Sequence, residues 1–142
     1  MPDLLHLQSD SLMESIECDG RLIAMIIRAE RMPVKTEFLT GDEVKQQVGF
    51  IVYSKGEQIA RHLHLPMERR IVGTSEVLLV RKGKAEVDFY TEDEEYVCSR
   101  ILRTGDLLLL VCGGHGFFCL EDTVLLEIKQ GPYLGLQEKK RF

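Results

Sequence analysis

His62 and His64 are two of only four histidines in the chain, and a single residue separates them. In an extended chain successive side chains alternate faces, so these two imidazoles would project from one face about 7 Å apart along the strand. Neutral rings so placed converge on one metal ion if a third ligand arrives from a neighbouring strand. Without that ligand they are two ordinary histidines. The surrounding spacing is regular: Gly56 stands six residues before His62, and Glu76 stands seven before Gly83. Arg69 and Arg70, in the loop that follows, suit a substrate carboxylate or phosphate, or are simply solvated cations. Glu127 and Lys129 share one face of a later β-type run leading to Tyr133. Facing inward, that pair would orient a substrate or adjust acid–base behaviour; facing outward, it is a surface pair.

These residues need a scaffold, and the sequence predicts one made of strands. Residues 48–53, 59–64, 76–80, 85–90, 96–102, 106–111, 117–120 and 123–129 are short β-type runs with Gly or Asp in the gaps. Such spacing predicts an all-β sandwich or barrel. Ala85, Val87 and Phe89 alternate with Glu86, Asp88 and Tyr90, which predicts one buried and one outer face. Leu126 and Ile128 alternate with Glu127 and Lys129 in the same way. Leu107 to Val111 is apolar on both faces and is expected between two layers. Residues 21–28, after Asp19-Gly20, read as a further strand. Helix is expected to be minor: a capping box from Ser11 competes with an N-terminal strand, and Thr40 to Glu43 could cap a single turn.

The composition bounds the rest. With 142 residues, 44% of them hydrophobic and 29% charged, the chain suits one globular domain without a boundary. A net charge of −5 argues against broad nucleic-acid binding and against an anionic membrane surface. The apolar runs are far shorter than the roughly 18 residues a spanning helix needs. Met1-Pro2-Asp3 lacks a positive n-region, so no signal peptide is expected. Cys18, Cys98, Cys112 and Cys119 form no CxxC pair, which suits a reducing cytoplasm. The basic end, Lys139 to Arg141, reads as a solvated tail or a contact with a partner subunit. The acidic run from Glu92 to Glu95 reads as a hairpin tip.

Gly56-EQIAR-His62-Leu63-His64, followed by Glu76-VLLVRK-Gly83, resembles the first motif of the cupin superfamily. Gly105-DLLLL-Val111-Cys112-Gly113-Gly114-His115 resembles the second. The likeness covers about residues 48–130. It implies a cupin-type antiparallel β-barrel, jelly-roll-like with little helix, and leaves residues 1–47 as extra strands or a dimer arm. It also implies one divalent transition metal (Fe, Mn, Ni, Cu or Zn) held by His62, His64, Glu76 and His115. The chain departs from the pattern in two places. Eleven residues separate His64 from Glu76, so Glu68 is an alternative carboxylate; and Val111 replaces a proline, with His115 one residue early. A one-residue slip reverses the face of a strand unless a bulge at Gly113-Gly114 absorbs it.

The implied function is a metal-dependent oxygenase or isomerase acting on a small sugar-like or organic-acid substrate, with Arg70, Lys129 or Tyr133 as candidate catalytic residues. One alternative is a metal-free sugar-nucleotide isomerase or epimerase with His62 or His64 as base. Another is a non-catalytic module that binds a metal or small molecule. The expected partners are a small-molecule substrate and a second copy in a homodimer, since exposed strand edges favour pairing.

Overall fold

The structure is a computed structural model that describes residues 12–142. The chain divides into two compact units, one holding residues up to Arg31 together with Thr74–Phe142, the other Met32–Gly73. In chain order the strands are β1 (Met13–Cys18), β2 (Arg21–Ile27), β3 (Glu37–Phe38), β4 (Gly49–Phe50), β5 (Glu76–Lys82), β6 (Lys84–Tyr90), β7 (Tyr96–Arg103), β8 (Leu107–Leu110), β9 (Gly114–Cys119) and β10 (Val124–Lys129). One 3-10 turn, Gly135–Gln137, is the helical element among the described residues. No described helix is long and apolar enough to cross a membrane.

The larger unit is two antiparallel sheets. The five-stranded sheet has the order β1-β2-β8-β5-β10, and the three-stranded sheet β7-β6-β9. The expected all-β fold is therefore present, although no ladder among the described strands closes into a barrel. Period-2 patterning decides which side chains meet between the sheets. Ala85, Val87 and Phe89 of β6 are completely buried, as their alternation predicts. Val87 and Phe89 form one core with Leu78, Val80, Leu108 and Leu110 from the other sheet. The apolar run expected between layers is β8, which lies at the centre of its sheet between β2 and β5.

The N-terminal helix signal gives way to β1, whose Met13 to Cys18 pair with β2. Sheet pairing outweighs a local capping preference here; Ser11, where that helix would start, lies outside the described residues. Asp19 and Gly20 both have positive φ (50° and 73°), the two-residue turn that matches the twist of a hairpin. The far end of the unit is tied by Asp106, which is buried and accepts from the Ala29 and Arg103 amides and the Arg28 guanidinium, each at 2.9 Å.

The smaller unit is mostly irregular. The strand expected over residues 48–53 shrinks to Gly49–Phe50 against Glu37–Phe38. Thr40 to Glu43 form a turn rather than a helical one: the Val44 amide donates to the Gly41 carbonyl, and the Gln47 amide nitrogen donates to the Gly41 and Val44 carbonyls. The strand expected over residues 59–64 is absent; the chain there pairs with no ladder, and residues 53–73 are all exposed. Strand preference expresses side-chain packing on a sheet, and this run has none to pack on.

Candidate functional site

Along β5, Glu76, Leu78 and Val80 are the buried positions, so Glu76 sits where the pattern places an apolar residue. A carboxylate on a core-facing position is costly to bury unless partners compensate it. Two are supplied. Lys129 stands directly across the ladder on β10. His115 reaches from β9 in the other sheet, its Nε2 3.4 Å from Oε2 of Glu76. The hydrogen bond with His115 holds the Glu76 carboxyl below its ordinary value of 4.5; burial opposes this, and the positive charges of His115, Lys129 and Lys139 add to it.

The turn before β9 sets the histidine's face. Gly113 has a φ of 75°, and a side chain there would collide with the Tyr90 carbonyl, so only glycine fits. From that turn His115 pairs with Phe89, and its ring lies edge-on to Phe117, 5.8 Å between centroids. The face reversal that an early histidine threatened does not occur.

Glu76 and His115 line an open cleft of about 830 Å³. Tyr90 and Phe142 form an aromatic wall, their rings edge-to-face at 5.1 Å. The C-terminal residues run along the cleft: Glu138 pairs with Lys129 at 3.2 Å, Lys140 pairs with Glu94, and Lys139 and Arg141 complete the cationic rim. The sequence reading missed Tyr90, Lys139, Arg141 and Phe142, because nothing in a terminal basic run says which surface it lies against.

The other candidate residues are placed as follows. Lys129 faces inward beside Leu125, with its ammonium 4.4 Å from the centre of the Tyr133 ring, and Tyr133 itself is exposed. Its neighbours Leu126 and Ile128 are exposed, and so is Glu127. Glu68, Arg69 and Arg70 are exposed in the smaller unit, so the carboxylate found beside His115 is Glu76. His62 and His64 are also in the smaller unit, exposed, with ring centroids 5.3 Å apart. Nδ1 of His62 lies 2.9 Å from the Ala60 carbonyl. A carbonyl only accepts, so Nδ1 is the donor there and Nε2 is the ring nitrogen that faces other partners.

Glu76 and His115 fit a metal in kind and in spacing. Two ligands at about 2.0–2.1 Å from one tetrahedral ion are roughly 3.4 Å apart, the distance between the Glu76 and His115 donors. Within the chain, no three His, Cys, Asp or Glu among the described residues gather around one point. The chain matches no protein-family model, no curated protein and no solved structure. The cupin likeness therefore rests on the motifs quoted above.

Proposed function

We propose that this protein is a small metal-dependent enzyme of cupin type that acts on a small oxygenated anion in the cleft floored by Glu76 and His115. One observation carries the reading: two motif residues 39 positions apart in sequence, on strands of different sheets, stand with their donor atoms 3.4 Å apart. Glu76 and His115 would supply two of the ligands; the motif resemblance names His62 and His64 as the others. A bound divalent ion would polarise a substrate oxygen or activate water. The chain does the remaining work. Held ionised by its cationic neighbours, Glu76 keeps its oxygens available to a cation or to a proton. Lys139 and Arg141 draw a carboxylate or phosphate to the rim. Tyr90 and Phe142 offer an apolar wall to the rest of the molecule.

A second reading has its own support. Glu76 and His115 already stand as a carboxylate–imidazole pair 3.4 Å apart without an ion, the arrangement a metal-free isomerase or epimerase needs. In that version the base is His115 rather than His62 or His64, and Tyr90 is the nearby phenol. Metal analysis of untagged protein separates the two. Stoichiometric divalent metal, and turnover of sugar acids or organic acids that chelator abolishes, support the first. Turnover that persists in chelator supports the second. A loaded site without turnover across such a panel would leave a binding module.

A further inference from the structure

β10 ends the order β1-β2-β8-β5-β10, so its outer edge pairs with no described strand. Residues directly opposite each other in a ladder share a face. The registers of β8, β5 and β10 therefore align two apolar rows on the face of the sheet turned away from the core. One row is Leu107, Leu79 and Leu126; the other is Leu109, Val77 and Ile128. Exposure rises along both toward the edge. Leu109 is completely buried and Val77 half-buried, whereas Ile128 is 57% exposed. Leu107 and Leu79 are half-buried, whereas Leu126 is 44% exposed. Val124, on the same face by alternation, is 53% exposed. Both rows stop in solvent at β10.

Free edges are ordinarily guarded by charges, proline or very short strands. At the opposite edge of this sheet, β1 exposes Ser15 and Glu17, which suit water. β10 carries no such guard on its outer face, where Val124, Leu126 and Ile128 are all apolar. Their pattern is also self-complementary. Identical strands that pair across a two-fold axis run antiparallel, and a pairing centred on Leu126 sets that leucine against its own copy and Val124 against Ile128. Every apolar residue of the face then meets an apolar one. The row from Leu107 through Leu79 to Leu126 continues into the same three residues of the second copy. Neighbouring registers do worse. Centred on Glu127, the pairing opposes two like charges, which is destabilising; centred on Leu125, it sets Ile128 against Asp122.

From this we propose that β10 is the seam of a two-fold homodimer: it pairs antiparallel with β10 of a second copy about Leu126, joining the two five-stranded sheets into one. The second copy covers Val124, Leu126 and Ile128 and supplies the ladder hydrogen bonds that a free edge lacks. Nothing in this pairing depends on a bound metal.

Sedimentation equilibrium of the untagged full-length protein should show a dimer. Leu126→Glu sets two carboxylates against each other at the axis and should raise the dimer dissociation constant by at least about 100-fold. Ser15→Glu, at the opposite edge of the sheet, should leave it unchanged. If Leu126→Glu loses the strand signal in circular dichroism, cross-linking decides. Because Leu126 meets its own copy, Leu126→Cys in a Cys119→Ser background should be joined to itself by a short bis-maleimide. Ser15→Cys in the same background should not be. A wild-type monomer overturns the proposal. So does a dimer that a folded Leu126→Glu leaves unchanged, one that Ser15→Glu dissociates as readily, or one that forms no link at residue 126.

Discussion

Nε2 of His115 and Oε2 of Glu76 are 3.4 Å apart although their strands belong to different sheets. The contact joins the two layers at one end of the larger unit, while Asp106 ties the backbone at the other. Because Glu76 also faces Lys129 across the ladder, one carboxylate is bracketed by an imidazole and an ammonium group. That bracketing keeps it charged at a position where the strand pattern would otherwise place a leucine or valine.

Replacing Glu76 with glutamine keeps the shape and removes the charge. Divalent-metal affinity should fall by at least about 100-fold, since a direct ligand is worth more than the 10–100-fold an outer partner commands. Isothermal titration of Ni(II) or Zn(II) measures this, and unchanged affinity would remove Glu76 from the site.

The depressed Glu76 carboxyl gives a signed pH dependence. A carboxyl whose value is lower in the folded state than in the unfolded contributes stability above its ordinary value of 4.5, lost as pH falls through the folded value. In urea titrations of metal-free protein, the advantage of wild type over Glu76→Gln should therefore shrink steadily below pH 4.5. An advantage that persists undiminished down to pH 3 would contradict a depressed value.

Gly113→Ala forces a side chain into a backbone with φ of 75° and against the Tyr90 carbonyl. The cost should be about 2 kcal/mol or more, read as a lower urea midpoint. Because the turn aims His115, metal affinity should fall as well. A variant of wild-type stability would mean the turn does not need glycine.

Asp106→Ala removes three hydrogen bonds from a buried carboxylate and leaves the Ala29 and Arg103 amides and the Arg28 guanidinium without their acceptor. Loss of about 3 kcal/mol is expected. Metal affinity measured on the folded fraction should be unchanged, since Asp106 does not line the cleft. A coupled loss of affinity would place it in the site's support.

Much of the scaffold was legible in the sequence. The alternation of Ala85, Val87 and Phe89, the doubly apolar Leu107–Leu110 and the Asp19-Gly20 turn follow local rules that tertiary packing then obeys. The spacing to Gly83 singled out Glu76, and the structure sets it beside His115. The strand expected at His62 was not realised, because a pattern announces a strand without naming the sheet it joins. The inward face of Lys129 was hidden for a related reason: β10 is an edge strand whose outward Leu126 and Ile128 are exposed, so apolarity there does not mark the core. The tail's place along the cleft depends on Lys140 meeting Glu94 and Phe142 meeting Tyr90, contacts that no local periodicity encodes.

The most direct measurement is the metal content of untagged wild-type protein beside Glu76→Gln/His115→Ala, by plasma emission spectroscopy after loading with a divalent transition metal and removal of the excess. The account predicts about one ion per chain in wild type and none in the variant, the stoichiometry of a mononuclear four-ligand site. A wild type that retains no ion, or a variant that retains as much as wild type, would contradict it.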